Sequence, residues 1–600
     1  MDRKNAPENL KWKLTDIYNT HEDFETDLQK INEYLPIFEK FKGKLNRKDI
    51  LLKYYKTSDI FNALYHKLGS YVMLNHDVDL NNNVYLEDEE KLNSFRSKLS
   101  RSTAFIDPEL ASLDNKYFED LLKDQNFKDY EYLIKSVLDN RKHILSKEQE
   151  EALSVMSSFS DGFDNVRSTL VENDFKYKPV NVNGKQEELT ESTYSKFIDN
   201  KNRDVRTQAY NNLYEVYKQF SKTLAANYIS FVKLVNCDLN LRKYNSPFDM
   251  FQGSSKIPQA LFDNLVKNVN KNLNLEQKYF KLLKKSTKID NFGFQDVYQS
   301  LSNNIDKKYS IDEQKAIVLD ALAPLGKQYQ ALLKTAYQKN WIDFCTSADK
   351  RSGGYMLGVY GVHPYVLLND TGTYDSLSTL AHELGHAMHT YYSIKNQPYA
   401  KYHYSIFIAE IASTVNEILL NKYMIKNAKT DEEKLFYLDN YLQHFKSTVF
   451  RQTMFAEFED FAHNKIAKDE ILSEKILNDK YTDLLKKHFA DTVNIDENIT
   501  HEWQRIPHFY SPYYVYKYAT SFISAVYIAN SILENKNNML DNYMDMLKSG
   551  SNGYPTEILA KAGVDLTKDE TFNYAFNDMK NCMSQAEEIL NKSKAKDNTL

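Results

Sequence analysis

Apolar residues recur along most of the chain at steps of three and four. Phe24, Leu28, Ile31, Leu35 and Phe38 form one stripe, and Leu92, Phe95 and Leu99 a second. Val205, Ala209, Leu213, Val216 and Phe220 form a third. That spacing puts the apolar side chains on one face of an amphipathic helix, so the fold class expected is mainly α. The near-heptad stripes read as core-facing helices rather than as coiled-coil partner sites. Pro36 lies inside the first stripe and predicts a kink or break there, and Asp107-Pro108 predicts the end of the second.

Two segments depart from the helical period. In FKYKPVNVNGKQEEL (175–189), Val180 and Val182 alternate with polar residues and Asn183-Gly184 follows, the signature of a tight hairpin. In SGGYMLGVYGVHPYVLLN (352–369), Gly353, Gly354, Gly358 and Gly361 precede Val366, Leu367 and Leu368. Glycine is disfavoured in helices and permits close backbone approach. A strand pair with a glycine-rich turn is expected here, a small β-sheet directly before the residues that carry the chemistry. No self-similarity at a period of roughly 20–50 residues is visible, which argues against a solenoid.

At 600 residues the chain exceeds what one hydrophobic core supports, so at least two lobes are expected. A helical N-terminal region over 1–200, including the hairpin, would precede a catalytic region over 201–590. The polar tail 591–600 has nothing to bury and is expected to fray. The formal net charge is -6, with opposite charges interspersed and no basic stripe, which excludes a phosphate-backbone binder. Three cysteines, Cys237, Cys345 and Cys582, form no metal or redox spacing and suit a reducing compartment. No stretch approaches the ~20 apolar residues of a membrane span, and the opening residues lack a signal-peptide core. A cytoplasmic protein with no membrane or nucleic-acid partner, monomeric or a simple homo-oligomer, is the expectation.

TLAHELGHAMH (379–389) holds H-E-x-x-H at His382, Glu383 and His386. Helical spacing of four places both imidazoles on one face, where they can grip one metal ion. Leu377, Leu380, Ala381, Leu384, Ala387 and Met388 form an apolar stripe that packs inward. Glu383 follows the first ligand, as a general base for water activated by a metal must. Random matches to this pattern should number roughly 0.02 in such a chain. A catalytic zinc site needs a third protein ligand. SIFIAEIASTVNEILL (405–420) offers Glu410, an acid in a run whose apolar stripe is Phe407, Ile411, Val415 and Ile418. Burying a carboxylate is costly unless it is paired or metal-bound, and a salt-bridged core acid is its alternative role. Glu417, two turns on, is placed to orient a histidine ligand from behind, and Asp375 is a further candidate that could instead cap the helix start. His389 is assigned a supporting or packing role. Cofactor and stoichiometry are thus one Zn2+ per chain, although cobalt or manganese suits the same donors.

With these residues in view, the chain resembles the oligoendopeptidase F branch of the thimet oligopeptidase-like metallopeptidases. The likeness rests on HELGHAMH, FIAEIASTVNE, KRSGGYMLGVYGVHPYVLLND, HFYSPYYVYKYATS (508–521) and the opening WKLTDIY. One departure is SGGY, where this branch often has SGAY, with Gly354 in place of alanine. The resemblance implies two helical lobes around a deep channel with zinc at its floor, which admits only short peptides. It makes His382, His386 and Glu410 the ligands and Glu383 the base. It also implies that a histidine and tyrosines of the 508–516 segment hold the substrate carbonyl: His508 and Tyr516, with Tyr513 and Tyr510 as further candidates. Such donors suit the oxyanion formed when water attacks. Gly353, Gly354 and His363 are candidates for binding the substrate, the strand after His363 offering an edge to an extended peptide. The function expected is a zinc-dependent endopeptidase hydrolysing internal bonds of short peptides. A metal-dependent aminopeptidase and a non-enzymatic helical scaffold are its rivals.

Overall fold

The computed structural model describes residues 2–146, 149–150, 153, 160–302, 305, 307–536 and 538–597. It is mainly α, as the periodicity predicts. The chain divides into two compact units, each assembled from three separate stretches. One comprises Met1–Lys142, Asp306–Tyr423 and Ala525–Asp565, the other His143–Ile305, Met424–Ser524 and Leu566–Leu600.

In the first unit the opening stripe becomes the helix His21–Lys30, a turn of 3-10 helix at Ile31–Glu33, and the helix Tyr34–Glu39. The break falls one turn before Pro36. Proline's ring clashes with the carbonyl four residues earlier and its nitrogen donates no bond, so the disruption lands on that preceding turn. The helices Lys48–Asp77 and Asn83–Thr103 follow. Phe24, Ile31, Phe38, Phe61, Leu68, Leu92 and Phe95 form one continuous core with Tyr365 and Leu367 of the sheet described next.

That sheet has three strands, β3 (Ile342–Asp343), β4 (Tyr355–Gly358) and β5 (Pro364–Leu367), in the order β3-β5-β4. β4 and β5 are the antiparallel pair expected from the glycine-rich segment, with Gly353 and Gly361 both at φ +82°. The two-residue β3, parallel to β5, has no signal in the sequence pattern. The chain start clasps this sheet. Arg3 Nε donates to Asp343 Oδ2 at 2.8 Å, and Lys350 Nζ, fully buried, donates to Asp343 Oδ1 at 2.8 Å and to the carbonyls of Cys345 and Leu368.

The second unit contains β1 (Val180–Val182) and β2 (Lys185–Glu187), a hairpin closed by Asn183 and Gly184. Both turn residues have positive φ, +54° and +86°, which is why the turn is built from Asn-Gly. Its longest helix, Arg203–Leu241, runs for 39 residues and buries Tyr210, Tyr214, Tyr217 and Tyr228. Buried charges are paired here: Arg206 with Asp296 at 2.7 Å, and Arg451 with Glu502 at 2.8 Å, where Tyr481 also donates. The final helix runs to Asp597 through the tail expected to fray, whose last three residues lie outside the described ones. Among the described residues no helix is long and apolar enough to cross a membrane. The three cysteines are free.

Candidate metal centre

The H-E-x-x-H motif lies on the helix Tyr374–Asn396, whose start is capped by Thr373, its hydroxyl accepting from the Ser376 N–H. Asp375 therefore is not the cap. It is exposed in the first turn, and its side chain bonds neither histidine. The apolar stripe from Leu377 to Met388 is fully buried. The second candidate helix, Ile406–Asn427, likewise buries Phe407, Ile411, Val415 and Ile418.

These two helices cross at Gly385. A Cβ there would lie 2.5 Å from Ser413 Cα and 2.6 Å from the Ala412 carbonyl oxygen. Only glycine permits so close an approach. The contact is reinforced one turn away, where Asn416 Nδ2 donates to the Ala381 carbonyl at 3.0 Å and receives the Tyr329 hydroxyl on its Oδ1 at 3.0 Å. Neither Gly385 nor Asn416 emerged from the sequence reading. A glycine in mid-helix, disfavoured by about 1 kcal/mol against alanine, was the available signal.

The crossing brings His382, His386 and Glu410 together, with one donor atom of each within 4.8 Å of the others. Nε2 of His382 and Nε2 of His386 each lie 3.5 Å from Glu410 Oε2, and the two rings meet edge to face with centroids 4.9 Å apart. Two imidazoles and a carboxylate converging in this way fit a catalytic zinc ion. His382 Nδ1 faces Glu417 Oε2 at 3.4 Å, and Ser378 donates to the other oxygen of that carboxylate at 3.5 Å. Glu417 thus faces Nδ1, while Nε2 is the nitrogen turned toward Glu410.

The electrostatics agree with that division. Burial works to lower the pKa of His382, but Glu417 first, then Glu383 and Glu410, push it up to about 9. Burial works to raise Glu410, and the His386 hydrogen bond, both imidazole charges and Ser413 outweigh it, holding the carboxyl below its usual range. Glu383, only 7% exposed, moves the other way: burial raises its pKa against the pull of both histidines. A carboxylate shifted upward is suited to taking and returning a proton near neutral pH. His389, one turn beyond, is completely buried and stacks on Tyr404 at 3.6 Å, a packing role.

The sheet candidates sit beside this helix. Gly354 is so close to Thr379 that a Cβ would lie 3.0 Å from its methyl, while Gly353 faces open space. A Cβ at Gly358 would collide with Thr390. β4 therefore runs along the helix past both histidines. His363 needs correcting: it is buried, stacked on Trp341 at 4.7 Å, and its Nε2 lies 3.4 Å from Asp16. The strand after it, β5, is central and flanked on both sides, so the sheet edges belong to β3 and β4.

The 508–518 segment belongs to the second unit and also departs from expectation. Tyr516 is completely buried and its hydroxyl donates to Gln252 Oε1 at 2.9 Å. Tyr513 is equally buried, at φ +54°, with its N–H on Glu459 Oε1 and its hydroxyl on Asp460 Oδ1, both at 2.9 Å. The Tyr510 hydroxyl accepts from Asn227 at 2.9 Å, the ring packing on Tyr228 and Phe231. All three are engaged in packing. The half-buried residues that face one another are His508, Tyr514 and Tyr518. Tyr518 Oη lies 3.5 Å from His508 Nε2, and the Tyr514 and Tyr518 ring centroids are 5.3 Å apart. Tyr513 stands in a left-handed conformation at φ +54°, and an L-residue at positive φ leaves no pattern to read.

Two family models match the chain: Peptidase family M3 over residues 196–578 and Oligopeptidase F over 109–177. The chain is 35% identical to Oligopeptidase PepF of Bacillus subtilis, covering 99% of this chain and 89% of that protein. It is 35% identical to an Oligoendopeptidase F homolog of Borreliella burgdorferi, covering 98% and 100% respectively. The crystal structure of oligoendopeptidase-F from Enterococcus faecium superposes with a TM-score of 0.74 at 30% identity, covering 95% of this chain and 99% of that one.

Proposed function

The chain belongs to peptidase family M3, in its oligoendopeptidase F branch, and from that premise we propose a zinc-dependent endopeptidase that cuts internal bonds of short peptides. A member of this family is a metallopeptidase, a peptide hydrolase. The observation that carries the finer reading is the convergence of His382 Nε2, His386 Nε2 and Glu410 Oε2, with Glu383 beside them.

In this reading His382, His386 and Glu410 hold one zinc ion per chain, and Glu417 orients His382. When bound, zinc supplies a Lewis acid that polarises the scissile carbonyl and acidifies water. Glu383 accepts the proton of the attacking water on its carboxylate, then delivers it to the leaving amine. Gly353, Gly354 and the outer edge of β4 receive the peptide backbone, whose hydrogen bonds ignore side-chain identity. His508 is assigned to the substrate carbonyl, and the tyrosine partner passes from the completely buried Tyr516 and Tyr513 to the half-buried Tyr514 or Tyr518 beside His508. The catalytic region is taken as 201–590. A cytoplasmic protein, monomeric or a simple homo-oligomer, completes the proposal.

The test is Glu383→Gln assayed on an internally quenched peptide. Turnover is expected to fall by about three orders of magnitude, with metal content unchanged. Near-normal turnover would remove Glu383 from its role. Mass spectrometry of the products separates the readings, internal cuts supporting the endopeptidase and single-residue trimming an aminopeptidase. A folded protein offered as substrate should survive intact.

A further inference from the structure

Between the two ligand-bearing helices, residues 397–405 meet the tip of the β4–β5 hairpin and build a cluster of rings in the first unit. The Tyr360 ring centroid lies 5.1 Å from that of Tyr399 and 4.8 Å from that of Tyr402, and Tyr402 lies 3.9 Å from His403. His66, on the helix Lys48–Asp77, lies 5.9 Å from Tyr399 and 5.7 Å from His403, with the Tyr399 hydroxyl 2.7 Å from its Nδ1. This is not core packing. His66 and His403 are exposed, Tyr360 and Tyr399 half-buried, and only Tyr402 is buried. Nothing in the peptidase reaction requires these five rings.

Their charge environment has one sign. Asp59 accepts the Tyr130 hydroxyl at 2.8 Å, makes no ion pair among the described residues, and acts electrostatically on both Tyr360 and Tyr399. The neighbouring cations are turned elsewhere. Lys401 is buried with its ammonium 3.3 Å from Asn552 Oδ1, and Lys67 lies over the Tyr18 ring at 3.9 Å. Desolvation also disfavours a proton on His66 and His403. Electron-rich ring faces near a carboxylate that has no counter-charge attract a cation.

We propose that this cluster is a specificity subsite for a basic side chain, arginine or lysine, of the peptide substrate. The proposal rests on the peptidase reading of the metal centre and extends it along β4. That strand ends at Gly358 opposite Thr390, and Tyr360 follows two residues on. From His386 to Thr390 is about 6 Å of helix, and two strand residues add ~7 Å. A peptide following the β4 edge would therefore meet the rings about four residues from the bond cut.

The test is a set of quenched peptides with one scissile bond, carrying arginine or its neutral isostere citrulline at each successive position. The wild-type enzyme is expected to favour arginine by about tenfold in kcat/KM at one position, about four residues from the cut. Tyr360→Leu with Tyr399→Leu should bring that ratio to about one, and Tyr399→Phe, which keeps the ring, should retain it. Should the double variant fail to fold, His403→Leu alters an exposed ring and should lower the same ratio. A ratio of about one at every position in the wild type would overturn the subsite. So would a preference there for phenylalanine over arginine, or an arginine preference that survives loss of the rings. Failure of the wild type to cut any peptide of the set would instead remove the peptidase reading on which the subsite stands.

Discussion

The residues around His382 are predicted by helical spacing and those around His508 by a family resemblance, and the structure treats the two regions differently. In the 382–417 constellation the expected donors converge, with Nε2 of both histidines and Oε2 of Glu410 turned toward one point. In the 508–518 segment the tyrosines expected as donors are locked in packing, and Tyr514 and Tyr518 take the open side. The difference lies in the local backbone. On a continuous helix, spacing alone decides which side chains share a face. Where a short 3-10 helix, a turn and one residue at positive φ follow each other, spacing says nothing about direction.

The first region should fail most sharply at its crossing. Gly385→Ala, which in an ordinary helix would stabilise by about 1 kcal/mol, should here destabilise by about 2–3 kcal/mol. By forcing Ser413 and hence Glu410 away, it should also abolish stoichiometric metal binding. Thermal unfolding and metal analysis of the same preparation check both. A stabilised variant with full metal content would show that the close approach does not set the ligand geometry.

Glu417→Gln should weaken metal affinity by about 10–100-fold while leaving the metal-free protein folded, measured by competition with a chelator. A pH dependence accompanies it. The pKa of His382 is raised to about 9, so its proton stabilises the metal-free fold below the ordinary histidine range, and that contribution is lost as pH rises through about 9. Metal must displace this proton, so affinity should climb by roughly tenfold per pH unit on approach to that value. Removing the Glu417 charge should move the climb to lower pH.

The smallest effect discriminates within the second region. Tyr516→Phe should cost about 1 kcal/mol of stability through the lost bond to Gln252, with kcat unchanged. Tyr514→Phe or Tyr518→Phe should leave stability alone, and one of them should lower kcat by about tenfold or more. The reverse pattern would restore Tyr516 as the donor.

What could be read without the structure follows from periodicity. The helical class, the Asn183-Gly184 hairpin and the β4–β5 pair are each specified by contiguous residues, as is the common face of His382 and His386. Glu410 was legible because one acid in an apolar run needs a partner. Asn416 was not, since its bond to the Ala381 carbonyl depends on which helix lies opposite. β3 was not, because two residues hold no period, and without β3 the central position of β5 and the burial of His363 could not be foreseen.

The sequence by itself determined which groups could meet at the candidate metal centre: two imidazoles and an acid on one helix, and a carboxylate on the next. Hydrogen-bonded helix geometry allows each of those residues only one direction. The tertiary structure alone decided how closely the helices meet at Gly385, which strands lie at the sheet edges, and which tyrosines lie beside His508 rather than in the core. Those outcomes depend on contacts between residues far apart in the chain, and on a left-handed turn at Tyr513 that is held by Glu459 and Asp460 rather than by its own residue type.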